Sequence, residues 1–136
     1  MEKFKYLEHT ADIKFQAFGK TKEDAFKNSA FAMFNSMNSE PIKEKIKKKI
    51  SVQGKDYENL LYEFLEELLF LFDTELFFLS KIKNLKISKD NKLAADITGD
   101  SAENYEMKTD IKAVTYNEMF VKKQKGNWVC QVVLDI

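Results

Sequence analysis

Apolar and polar residues change rhythm along this chain, and the changes sort it into strands and helices. From residue 11 to 18 the alternation has period two: Ile13, Phe15 and Ala17 share one parity, Asp12, Lys14 and Gln16 the other. That predicts a strand with one buried face, and a shorter extended stretch, 4–7, precedes it. Gly19 ends the alternation. Helical spacing follows, with Ala25, Phe26, Ser29, Ala30, Met33, Phe34 and Met37 recurring on one side. Thr21, with Asp24 three residues on, has the arrangement of a capping box and starts this helix. Asn38-Ser39-Glu40-Pro41 stops it, because proline lacks a donor and restricts its neighbour.

Residues 42–52 alternate again, with Ile42, Ile46, Ile50 and Val52 on one parity and lysines between them; Gly54 closes the segment. Asp56 is placed to cap a second, longer helix. Leu60, Leu61, Phe64, Leu65, Leu68, Leu69 and Phe72 form its apolar stripe, and Glu63, Glu66 and Glu67 occupy the opposite side. Beyond Phe78 the pattern is strand-like over 81–88, 92–99, 107–116, 118–124 and 127–135. Lys89-Asp90-Asn91, Gly99-Asp100-Ser101 and Lys125-Gly126-Asn127 are the expected turns, the last within a hairpin. The expected architecture is α+β, two helices packed on largely antiparallel β-sheet, in one domain over residues 1–136.

Composition narrows the function classes. The 136 residues suffice to bury a core without cross-links. Lysine plus arginine and aspartate plus glutamate number 22 each, so the basic excess usual in a nucleic-acid binder is missing, and strong direct nucleic-acid binding is not expected. One cysteine, Cys130, and one histidine, His9, exclude an internal disulfide framework and disfavour a structural zinc site. A lone thiol in an apolar strand suits a reducing compartment. No signal-peptide core opens the sequence, and Glu66, Glu67, Asp73 and Glu75 interrupt the longest apolar stretch, so no membrane association and a cytoplasmic location are expected.

Three constellations are candidates for chemistry. The first is His9-Thr10-Ala11-Asp12-Ile13, whose pattern alone reads as a turn with a solvent-facing acid. The second is the ending Gln131–Ile136, where Asp135 stands beside the terminal carboxylate. On pattern alone this is a solvated chain end, and converging carboxylates there would need a hard cation among them. The third is Asp110–Asn117, where Lys112, Val114 and Tyr116 are expected on one strand face. Phosphate-cradling glycine loops and nucleophilic serine motifs are lacking.

Taken together, His9–Ile13, the helix Asn59–Leu69, the strand Ile111–Tyr116 and the ending Trp128–Ile136 resemble the archease family, in order and over essentially the whole chain. The resemblance implies a small α+β protein that activates the GTP-dependent tRNA-splicing RNA ligase, promoting its guanylylation and repeated turnover without being the catalyst. It implies a divalent cation, calcium in the family, held by Asp12, Asp135 and Ile136, the last through its terminal carboxylate or carbonyl. Lys112 matches the family's strand lysine and is the candidate for partner contact, with His9 beside it. Two positions depart from the family pattern: Lys14 stands where glycine is common, and Asn117 where histidine is common. Asparagine keeps a hydrogen bond but cannot transfer a proton. The alternatives from other classes are a general chaperone or adaptor for RNA-modifying enzymes, and a small metal-dependent hydrolase.

Overall fold

The computed structural model describes residues 2–136. In chain order the elements are β1 (Phe4–Leu7), β2 (Ile13–Gly19), α1 (Lys22–Met37), β3 (Ile46–Gln53), α2 (Tyr57–Glu75), β4 (Phe77–Ile87), β5 (Lys92–Ser101), β6 (Ala113–Gln124) and β7 (Asn127–Asp135), with one 3-10 turn at Ala102–Asn104. The strands form two antiparallel sheets. The first has the order β1-β2-β7-β6 and the second β3-β5-β4. Both helices pack against both sheets. The fold is therefore the expected α+β arrangement, with the sheet divided in two.

Local chemistry explains both helix starts. The Thr21 hydroxyl accepts from the Asp24 amide at 3.1 Å, and the Asp56 carboxylate accepts from the Asn59 amide at 2.8 Å, each satisfying a first-turn donor that has no helical partner. The stripe Leu60, Leu61, Phe64, Leu65, Leu68 and Leu69 is buried as its spacing predicts. It meets Phe26 and Phe34 of α1, Phe15 of β2, and Phe77 and Phe78 of β4 in one continuous core.

The second strand runs Ile13–Gly19 where the sequence predicts 11–18, and four larger differences from the sequence reading each have a physical reason. The third strand begins at Ile46, not 42, because residues 42–45 lead in from the Pro41 break without pairing of strand type. The fourth begins at Phe77, not 81: α2 ends on Leu76 in the left-handed region (φ 56°), and the chain reverses directly into the sheet. Gly99-Asp100-Ser101 is not a turn but the end of β5. Gly99 is there because a Cβ would stand 2.1 Å from the Phe78 carbonyl oxygen and 2.8 Å from the Phe77 ring. Finally, 107–112 is not strand. Lys112 lies before β6, exposed, whereas Val114 is buried, so the two do not share a face with Tyr116 as expected.

The segments read as 107–116 and 118–124 contribute one strand, β6, interrupted by a large bulge. Thr115 pairs with Val133 and Phe120 with Gln131, so residues 116–119 stand opposite Val132 alone. Glu118 takes a positive φ of 53° to accommodate this. The hairpin at Lys125-Gly126 is tight, with φ of 50° and 82°, and Gln124 pairs with Asn127. Two positive φ values match the right-handed twist of the strands it joins.

Candidate functional site at the end of the first sheet

Strand register gathers the sequence candidates. β7 lies between β2 and β6, pairing Leu134 with Ile13 on one side and Asp135 with Ala113 on the other. Continuing the first register by one residue sets Asp12 opposite Asp135. The amide of Lys112 donates to the Asp135 carbonyl at 2.8 Å, so the approach to β6 is tied to the same end of β7. The backbone thus brings Asp12, Asp135, Ile136 and Lys112 to one end of the sheet, although Asp12 and Ile136 are more than a hundred positions apart in the chain.

The connection from β1 to β2 shapes its side of this corner. Ala11 adopts φ 64°, a conformation that costs a residue bearing a Cβ on the order of 1 kcal/mol. Strain of this kind persists only where the surroundings impose it, and it is common at functional sites. The turn delivers Asp12 half-buried, with 27 % of its side chain exposed, and brings His9 beside it. His9 Nδ1 lies 3.5 Å from Asp12 Oδ2, yet makes no hydrogen bond and is closed off from solvent.

The β6 bulge supplies what sequence reasoning missed. Glu118 reaches across β7, one oxygen 3.1 Å from His9 Nε2 and the other accepting from the Lys14 ammonium at 3.0 Å. The Lys14 bond, and secondarily that from His9, holds the Glu118 carboxyl below the usual carboxylate range. A chain of amides fixes the bulge in place: Gln131 donates to the Glu118 carbonyl at 2.7 Å and accepts from Gln16 at 2.9 Å. Lys14, one of the two departures from the family pattern, is therefore a partner of the bulge. The only sequence signal for this was the break in alternation at Asn117. Asn117 itself donates its amide to the Thr115 hydroxyl at 3.2 Å.

Tyr116, also in the bulge, points to α2. Its ring stacks on Tyr62 with centroids 4.4 Å apart, and its hydroxyl accepts from Asn59 at 2.7 Å. It remains 51 % exposed. Cys130, by contrast, is fully buried in the middle of β7, and burial pushes its thiol up to about 12. At that value it is a small apolar core group and not a nucleophile.

Asp12, Asp135 and the chain end are oxygen donors, which suit a hard cation in kind. Among the described residues, no three His, Cys, Asp or Glu side chains form a ready-made cage. As candidates, these residues would offer two side-chain carboxylates and the main-chain oxygen of Ile136, fewer than the six to eight oxygens calcium usually takes.

The sequence profile described as the archease protein family matches residues 4–136. This chain belongs to the archease family. It is similar to the archease of Pyrococcus furiosus, 39 % identical with all of both chains covered, and to that of Methanosarcina barkeri, 38 % identical over 99 % of this chain and 97 % of the relative. Among solved structures it resembles protein 1598 of Methanobacterium thermoautotrophicum, with a TM-score of 0.85 and 32 % identity over all of both chains. A Thermotoga maritima protein, described as an archease and possible chaperone, shares the fold at a TM-score of 0.66 and 19 % identity over 97 % of this chain and 96 % of its own. Of the motif His9–Ile13, Ile13 pairs with Leu134 of the ending Trp128–Ile136 at the end of the β2–β7 ladder.

Proposed function

We propose that this archease activates a GTP-dependent tRNA-splicing RNA ligase, promoting its guanylylation and repeated turnover while leaving the covalent chemistry to the ligase. The observation that supports this reading is the strand register that brings the backbone of Asp12 and Asp135 to one end of the sheet, in a chain of the archease family. With Ile136, these residues would hold a divalent cation, calcium by family expectation. Such an ion supplies electrostatic stabilisation for phosphate oxygens and leaves coordination positions open to a partner. The protein's own part is positional. Ala11 presents Asp12, Lys112 ties the end of β7, and Glu118 clamps Lys14 and His9 beside the carboxylates. Lys112 is exposed and stands ready for an anionic group of the ligase, with His9 at the rim.

The test is single-turnover guanylylation of a cognate ligase with and without this protein. A faster or more complete reaction supports the reading; no change in rate or in number of turnovers sinks it. A chain extended past Ile136 by a few residues should bind calcium more weakly if the terminal carboxylate is a ligand, and unchanged affinity removes Ile136 from the set.

A broader chaperone reading has one observation in its favour, the description of the Thermotoga maritima relative as a possible chaperone. It predicts protection of unrelated RNA-modifying enzymes from aggregation, which the activator reading does not.

A further inference from the structure

The second sheet carries a feature that the carboxylate corner does not use. Its outward face holds Lys47 and Lys49 on β3 and Lys81, Lys83 and Lys86 on β4, all exposed. Two carboxylates lie among these lysines. Glu44 lies 3.2 Å from Lys81 and 3.8 Å from Lys83, and Asp96 accepts a hydrogen bond from Asn84 at 2.9 Å. Among the described residues, Lys47, Lys49 and Lys86 have no carboxylate within ion-pair distance.

Geometry makes this more than a scatter of surface charge. Lysines on edge strands often serve to discourage edge-to-edge pairing, a role that does not require them to share a face. Here an irregularity of β4 brings Lys86 onto the face that Lys81 and Lys83 already share. Pairing shifts between Leu79 and Lys81 and again between Lys83 and Lys86, the second at Asn84 with φ 56°. In unbroken alternation Lys86, three residues after Lys83, would point to the opposite face; the bulge returns it to the same one. The result is two lysine rows on the outer strands. Strand spacing sets the rows roughly 9.6 Å apart, with about 6.8 Å between alternate residues along a row. Between them β5 presents Ala94, flanked by Ser51 and Lys86, and Asp96, flanked by Lys49 and Lys83 and bonded by Asn84; around them lies a shallow depression of about 320 Å³.

The balanced total charge hides this segregation. α2 carries six acids and no lysine, while β3 carries three consecutive lysines and no acid. The balance argues against nucleic acid for the molecule as a whole; it says nothing of one face. The chemistry of the face selects its ligand. It lacks the large apolar groups that centre a protein interface or enter a membrane, and it has no aromatic ring for stacking unpaired bases. What it offers is regularly spaced point charges, which match the phosphates of a duplex.

We propose that the outward face of the three-stranded sheet binds the sugar–phosphate backbone of a double-stranded nucleic acid through the lysine rows of β3 and β4. Binding is by charge, weak and insensitive to sequence. The inference stands independently of the cation site and of the ligase.

The test is fluorescence anisotropy of a labelled 24-base-pair RNA duplex against the full chain, in a series of potassium chloride concentrations. Wild-type protein should bind at low salt, with affinity falling linearly on a log–log plot. The triple variant Lys49→Ala, Lys83→Ala, Lys86→Ala should bind about tenfold or more weakly, and its salt slope should shrink by roughly one unit per lysine. A control triple, Lys20→Ala, Lys122→Ala, Lys123→Ala, removes equal charge elsewhere and should keep the wild-type slope. Equal binding by the two triples overturns the proposal, as does no wild-type binding at low salt. Capture of the protein by phosphatidylserine vesicles without binding to the duplex overturns it in favour of a lipid surface. Circular dichroism of each variant confirms that the fold is intact.

Discussion

The two sheets solve the same packing problem by different means. In the three-stranded sheet each strand has one face inside and one outside: Ile50, Ile82 and Ile97 are buried, and lysines and small polar residues face out. In the four-stranded sheet the central strand β7 is buried almost end to end, from Val129 to Leu134, because the β6 bulge folds over its outer side. The one-sided sheet leaves a broad, regular surface. The covered one concentrates its polar groups where cover ends, at the corner of Asp12 and Asp135. Whether a sheet offers a face or a point is thus decided by what lies over its central strand.

This contrast is sharpest in the carboxylate corner. Under the proposed function, Asp12→Ala should abolish calcium binding and ligase stimulation while changing stability by no more than about 0.5 kcal/mol, as expected of a partly exposed group outside the core. Isothermal titration and urea denaturation of the same preparation read both quantities, and stimulation that survives the substitution breaks the assignment. The three-stranded sheet should respond in the opposite sense. Gly99→Ala forces a methyl group against the Phe78 carbonyl and should cost about 3 kcal/mol or more, with no direct effect on calcium affinity. A loss below about 1 kcal/mol would mean that β4 and β5 separate more easily than their close contact implies.

Smaller effects separate the bulge from the helix. Glu118 is held low chiefly by Lys14, so it favours the folded state above the ordinary glutamate value, and that contribution is lost as pH falls through its folded value. Glu118→Gln should therefore be less stable than wild type at neutral pH, with the gap closing as pH falls below the ordinary glutamate range and through the lowered folded value. A gap independent of pH would show that the bulge is held by the Gln131 amide alone. Glu66 on α2 behaves inversely. Burial first, then Glu63 and Asp73, raise its carboxyl, and one of its oxygens is buried without a hydrogen-bond partner. A raised acid opposes folding while charged and is relieved as pH falls toward the ordinary value. Glu66→Gln should gain roughly a few tenths of a kcal/mol at neutral pH, discounted for partial exposure, and nothing in acid.

Both helices were legible in the sequence because their signals are local. Thr21 with Asp24 and Asp56 with Asn59 lie within a single turn, and the stripe of α2 needs only its own periodicity. The β6 bulge was not legible, since nothing between Tyr116 and Met119 states that four residues will face one. That geometry is settled by Gln131 and Gln16, side chains from other strands. The same distinction applies to the corner. The motif at His9–Ile13 and the ending at Asp135 stood out as sequences, but Glu118 carries no motif and enters only through tertiary pairing. Gly99 misled for a related reason: glycine in a Gly-Asp-Ser string signals a turn, whereas here it makes room for a neighbouring strand.

The central place of β7 also sets a timetable. Gln16 and Gln131, bonded across β2 and β7, are 115 residues apart, whereas β4 and β5 are joined by a tight local connection. Contacts between distant segments are slow to form because loop closure precedes any reward. On a ribosome, β2 has no partner on its inner side until residues 127–135 have emerged, by which time β3, β4 and β5 have long been free to pair. The lysine-bearing sheet is thus available to a nascent chain early, and the carboxylate corner comes into being only with the final strand.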